Sequence, residues 1–108
     1  MGSNFYILSY NLTNKTENWF QHSTGTNNSA SKVRQDSNGN IIVVGSYGEG
    51  AKIDTQLLLE NGNEHNMYVA KFNEFGGFLW VESLIGLSQV HGLGLAIGDN
   101  DDVYISGE

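Results

Sequence analysis

The sequence predicts an all-β fold of short antiparallel strands, and three observations carry that expectation. The apolar runs are short, rich in Ile, Val, Tyr, Phe and Trp, and bounded by Gly, Asn, Asp and Ser, as in "DSNGNIIVVGS" (36–46). Helical periodicity is hard to find anywhere in the chain. And the chain repeats itself: "GDNDDVYISGE" (98–108) has the same polar turn, β-branched and aromatic run and glycine, 62 positions on (98 minus 36).

Taken in order, eight main strands are expected, over roughly 4–10, 17–23, 30–35, 40–45, 66–73, 78–84, 91–97 and 102–107. The stretch "AKIDTQLLLE" (51–60) suits a short extra strand or one helical turn. "NFYILSYN" (4–11) is matched by "NMYVAKFN" (66–73), with Asn4, Tyr6 and Asn11 recurring as Asn66, Tyr68 and Asn73 at the same distance of 62. Trp19 recurs as Trp80 and Gly25 as Gly86, now 61 apart, and by Val33 and Leu95 the distance is 62 again. Matches that keep their order, with single-residue slips at loops, mark an internal repeat. A period of this size built from four strands points to a radial or stacked β architecture.

Composition agrees. The 108 residues bound the chain to one module, 1–108, with repeat units at approximately 4–65 and 66–108. With 14 glycines and no proline, its turns depend on Gly, Asn and Asp, which tolerate positive φ. Without cysteine, neither disulfides nor thiolate metal sites can form. The net charge of −7 repels phosphate backbones and anionic lipid, so neither nucleic acid nor a membrane is an expected partner. No apolar stretch approaches the length of a membrane span. Nothing in the composition indicates a compartment.

Within one repeat, "GLGLAIG" reads as strand A, "DVYISGE" as B, "NMYVAKFN" as C and "FLWVES" as D. A and B join through "DSNGN" or "GDNDD", C and D through "LTNKTE" or "EFGG", all suited to hairpins. Four antiparallel strands per repeat make one blade of a β-propeller. In strand C, Met67 and Val69 point to one face and Tyr68, Ala70 and Phe72 to the other, so both faces are apolar. A sheet with one wet face would alternate. A blade stacked between two neighbours needs both faces dry.

These features resemble the SBBP family of β-propeller repeats: an aromatic-rich strand ending in a Lys-hydrophobic-Asn step, "MYVAKFN"; a turn and a Trp, "GGFLW"; a spacer glycine, Gly86; and the turn-strand-glycine units "DSNGNIIVVG" and "DNDDVYISG". The likeness covers nearly the whole chain. The first copy departs from the pattern, with Leu8 and Ser9 in place of Ala-Lys and "TNKTE" in place of the glycine turn, which is expected to weaken the first C–D hairpin. The second A–B turn carries Asp101 where glycine is usual. The resemblance implies a propeller and little about chemistry, since function must come from a site.

The strand order is therefore C-D, A-B-C-D, A-B. Strand C of the first half (Tyr6, Leu8, Tyr10) and strand B of the last (Val103, Ile105) are left with unpaired edges, and unpaired edges recruit strands. Two blades cannot surround an axis. At roughly 25 cal/mol per Å², about 500 Å² of apolar face left in water forfeits on the order of 12 kcal/mol, comparable to the stability of a domain. The expected remedy is head-to-tail self-association into a cyclic homo-oligomer, with three copies making six blades or four copies eight. An excised piece of a longer propeller is the alternative, and a compact eight-strand sandwich is disfavoured by the repeat.

Candidate chemistry is sparse. Asp36, Asn38 and Asn40 resemble the start of a calcium loop, but Ile, Val and Gly stand where the closing Glu belongs. Asp99, Asp101 and Asp102 are a denser acid cluster and the one weak metal candidate. His22, His65 and His91 have no ligand-pair spacing. "GxSxG" and a lysine-bearing phosphate loop are absent. The carboxylates Glu74, Glu82, Asp99 and Asp101 could pair for glycoside hydrolysis only with a separation and a raised acid pKa that a sequence does not show. Trp19 and Trp80 suit packing between blades; as an exposed ring they would stack on sugars. The expectation is a non-catalytic interaction scaffold or structural component without cofactor, with a carbohydrate-binding propeller as the rival and another protein or a glycan as further partners.

Overall fold

The computed structural model describes residues 4–25, 28–48, 50–53, 56–57, 66–88 and 93–107. The protein is all-β. Its strands are β1 (Tyr6–Asn11), β2 (Thr16–His22), β3 (Thr24–Gly25), β4 (Asn28–Gln35), β5 (Ile41–Tyr47), β6 (Ala51–Ile53), β7 (Gln56–Leu57), β8 (Asn66–Phe72), β9 (Phe78–Ser88), β10 (Leu93–Ile97) and β11 (Val103–Gly107). The eight expected strands correspond to β1, β2, β4, β5, β8, β9, β10 and β11. Of the expected strand at 91–97, residues 91 and 92 lie outside the described residues, as do His65 and His91.

Four strands, β4-β5-β8-β9, form a central antiparallel sheet. β1 and β2 form one separate hairpin and β10 and β11 another. The stretch 51–60 supplies β6 and β7, which join β3 in a small sheet; its residues 54, 55 and 58–60 lie outside the described residues. β9 runs to Ser88, four residues beyond the expected end at 84, and so carries Gly86 inside a continuous strand. Its repeat counterpart Gly25 ends the two-residue strand β3 at a φ of 79°.

The hairpins take the two faces of the central sheet. On one face Phe5 and Ile7 of the first hairpin pack with Ile41, Val43, Tyr68, Ala70 and Phe72. On the other, Val103 and Ile105 of the last hairpin pack, with Leu95, against Ile42, Val44, Met67 and Val69. β8 is therefore buried on both sides, Tyr68, Ala70 and Phe72 facing one hairpin and Met67 and Val69 the other, as its sequence requires.

The turns follow their side chains. Asp36 opens the β4–β5 turn: its Oδ1 accepts from the backbone N–H of Asn38 and Asn40, each at 2.9 Å, and its Oδ2 from the Asn40 side chain at 3.2 Å and the Lys71 ammonium at 3.3 Å. Asn73 does the same for the β8–β9 turn, its Oδ1 accepting from Phe75 and Gly77. The first hairpin forms despite its lack of glycine, with Asn11 Oδ1 accepting from Asn14 and Lys15 held at a φ of 57°. That left-handed conformation costs a non-glycine residue about 1–2 kcal/mol, the physical form of the weakness expected there.

Bulges recur as well. β1 and β2 slip register between Ser9 and Tyr10, with Ser9 opposite Trp19, and β8 and β9 slip between Lys71 and Phe72, with Lys71 opposite Trp80. An extra residue ahead of each Trp swings the strand at the same point of both repeats.

Candidate interaction surface

Side-chain direction in the two hairpins follows from strand alternation. In the first, Ile7, Trp19 and Gln21 turn inward to the central sheet, and Tyr6, Leu8, Tyr10 and Phe20 turn outward. The inward set is anchored. The Trp19 indole N–H donates to the Glu74 carbonyl at 3.0 Å, and the Gln21 amide to the Gly76 carbonyl at 2.7 Å. Gly76 has a φ of 88°, and a Cβ there would fall 2.6 Å from the Trp19 ring. Glycine is thus needed at 76 both for its conformation and for the closeness of the indole.

The outward set is left in water. Tyr6 is 67% exposed, and its ring stacks on Phe20 with centroids 5.9 Å apart. Leu8, Tyr10 and Phe20 are each about half exposed. Together they make a contiguous apolar strip, a feature that marks an interaction surface on a folded chain. The last hairpin differs. Its inward residues Leu95, Ile97, Val103 and Ile105 join the core, and its outward set is Gly94, Ala96, Tyr104 and Ser106, of which only Tyr104 is large. Of the two outer faces, only the first is broadly apolar.

The strand edges are open too. Among the described residues β1 pairs with β2 alone and β11 with β10 alone, so β1 and β11 each present an unpaired backbone edge, as do β2 and β10 on the other side of each hairpin. The residues expected there, Tyr6, Leu8, Tyr10, Val103 and Ile105, lie on those two strands. Beside the β1 edge, between β1 and β4, lies a cleft of about 270 Å³ lined by Tyr6, Ile7, Leu8, Ala30, Val33 and Val43. No motif in the sequence signals it, because it exists only where one sheet stops short above another.

The remaining candidates are accounted for by local structure. Asp101 sits at a φ of 63°, where the matching turn has Gly39, and its carboxylate accepts from the backbone N–H of Ser37 at 3.1 Å and from the Ser37 hydroxyl at 2.6 Å. It joins two turns rather than gathering with Asp99 and Asp102, and among the described residues no group of three metal-ligating side chains forms. The Asp36 carboxylate, with 2% of its side chain accessible, is spent on its own turn and on Lys71. Burial pushes its pKa up, but the hydrogen bonds from Asn40, Asn38 and Lys71 outweigh that and hold it below the usual carboxylate range. The Tyr68 hydroxyl donates to the Ser29 carbonyl at 2.8 Å, and burial pushes its phenol pKa upward. Ser23 ties the first hairpin down: its hydroxyl accepts from the Phe5 N–H at 2.9 Å and donates to Asn28 Oδ1. Glu74 and Glu82 are exposed, one in a turn and one on β9. Trp80 is 37% exposed, and its counterpart Trp19 is partly buried.

The two contacts between hairpin and central sheet are the same contact. Phe5 and Ile7 meet Ile41 and Val43 in one core, and Met67 and Val69 meet Val103 and Ile105 in the other. Each residue of the second set lies 62 beyond its counterpart in the first (67 minus 5, 69 minus 7, 103 minus 41, 105 minus 43). No family model, no curated protein and no solved structure matches the chain.

Proposed function

We propose that this protein is a non-catalytic β-propeller module, of the kind the SBBP resemblance implies, that acts as an interaction scaffold by assembling copies of itself into a closed ring. The observation that carries the reading is the repeated inter-sheet core. A contact that recurs at one spacing within a chain is a rule for stacking sheets, and a rule of that kind can be applied again between chains. The aromatic strip on the first hairpin and the open edges of β1 and β11 are the features a further round of stacking would use.

The carbohydrate-binding alternative draws no support from Trp19, whose indole is held against Gly76 and hydrogen-bonded to Glu74. The enzyme reading draws none from the carboxylates, which are exposed or engaged in turns.

Light scattering or native mass spectrometry of the purified chain tests the scaffold. The expected result is a discrete species of three or four chain masses. A stable, folded monomer at tens of micromolar would overturn the reading.

A further inference from the structure

We infer that the cleft between β1 and β4 is the seat of β11 from a second copy, which pairs with the open edge of β1 in a defined register. The inference rests on the scaffold reading above and deepens it by naming which strands meet and how.

The argument is a transfer of observed contacts by the repeat distance. In the central sheet β5 pairs with β8 so that Ile41 faces Phe72, Val43 faces Ala70 and Gly45 faces Tyr68. Moving β5 forward by 62 gives β11, and moving β8 back by 62 gives β1. The pairing then becomes Val103 with Tyr10, Ile105 with Leu8 and Gly107 with Tyr6, each pair summing to 113 as the observed pairs do (41 plus 72, 43 plus 70, 45 plus 68). In one chain β1 and β11 pack on opposite faces of the central sheet, so the partner strand comes from another copy.

The same transfer accounts for the exposed residues. Leu95 is buried, 6% exposed, in the core it shares with Ile42 and Val44 of the neighbouring sheet. Its counterpart 62 earlier, Val33, is 47% exposed and lines the cleft. The residues that correspond to Ile42 and Val44 are Tyr104 and Ser106, and Tyr104 is 60% exposed. When β11 enters the cleft, Tyr104 of the incoming copy seats on Val33 of the receiving one. The strip of Tyr6, Leu8, Tyr10 and Phe20 corresponds to Tyr68, Ala70, Phe72 and Val81, all buried against the preceding hairpin. In the assembly it packs on the incoming copy's central sheet, on the side of Met67 and Val69. One joint thus satisfies two open edges, fills the cleft and covers the apolar strip. It is head-to-tail, the type of contact that builds a ring when the rotation per copy closes.

The chain has no cysteine, so paired substitutions read the register without background. Disulfide formation needs Cα atoms within about 7 Å. The Leu8→Cys/Ile105→Cys chain, oxidised, is expected to give a ladder of covalent multimers on a non-reducing denaturing gel. The Asn11→Cys/Ile105→Cys chain, three residues out of register, is expected to stay monomeric on that gel. Hydrogen exchange on the unsubstituted protein supplies an independent readout. Amides within Tyr6–Tyr10 should be at least tenfold more protected at assembling concentration than after dilution to monomer. An oligomer by light scattering that shows neither the ladder nor this protection overturns the β11–β1 joint and leaves the scaffold standing. A ladder of equal strength from both pairs likewise overturns the register. A cross-linked species that migrates as a single chain, or a protein monomeric throughout, overturns the joint outright, and the second of these removes the scaffold as well.

Discussion

Tyr6 and Tyr68 occupy the same place in the two repeats, yet one is two-thirds exposed and the other has no accessible surface. The residues around them are alike: Leu8, Tyr10 and Phe20 accompany the first, Ala70, Phe72 and Val81 the second. What differs is the neighbour. β8 and β9 lie under the first hairpin, and β1 and β2 have nothing described on their outer side. The comparison separates two things that burial usually confounds, the apolarity of a side chain and the presence of a surface to cover it. A strip that keeps core-type residues without a cover is a surface prepared for contact.

Substitution of the two tyrosines breaks the comparison most sharply. Tyr68→Ala removes a buried ring, its stacking on Phe5 and its bond to Ser29, and is expected to cost about 3–5 kcal/mol in urea denaturation. Tyr6→Ala, measured on dilute monomer, should stay within about 0.5 kcal/mol of the parent, while light scattering shows weaker assembly. Equal losses of monomer stability from both would mean that the first hairpin is covered within one chain.

The next effect concerns the two β-turns of the A–B type, which share a backbone but not a side chain. Asp36 and Gly98 both accept the third-residue N–H and donate to the carbonyl four residues on. Only Asp36 adds a carboxylate. Asp36→Ala is expected to cost about 2 kcal/mol, the scale of hydrogen bonds to a charged acceptor. Because the folded state lowers the Asp36 pKa, its contribution is fully present above the unfolded value of about 3.9 and disappears as pH falls through the lower folded value. Asp36→Asn should therefore flatten the stability profile below about pH 4. A profile of unchanged slope would assign the acid sensitivity to another carboxylate.

A smaller difference is expected between the tryptophans. Trp19→Phe loses the indole bond to Glu74 and should cost about 1 kcal/mol. Trp80→Phe, with no bond to a neighbouring turn among those described, should be nearly neutral in the monomer; in the unsubstituted protein the fluorescence of Trp80 should shift to the blue on assembly. The smallest effect belongs to Lys15. Lys15→Gly relieves a left-handed conformation and should stabilise by about 0.5–1 kcal/mol by thermal unfolding, net of the entropy glycine adds to the unfolded chain. Destabilisation instead would show that the Lys15 side chain contributes a contact of its own.

How much of this was legible in the sequence differs from residue to residue. The strands, their hairpin partners and the two dry faces of β8 were, because alternation and turn chemistry are local and each strand touches its partner through a short loop. The role of Asp101 was not. Its sequence neighbours suggested an acid cluster, and only the approach of two distant turns gave its carboxylate to Ser37, 64 residues earlier. The inward course of Trp19 was open between packing and display until Gly76 was found beneath its ring. The cleft had no signal at all, since its walls come from β1 and β4, which do not pair.

Sequence alone thus determined a duplicated order of antiparallel strands, because backbone propensity, side-chain alternation and turn residues all act over a few positions. Tertiary structure decided which of two equivalent apolar faces is dry, which edges stay open and where a carboxylate finds its donors. Those depend on what lies across a gap of a few ångströms, and the repeat supplied β1 and β8 alike with apolar residues whether or not a neighbour was there to meet them.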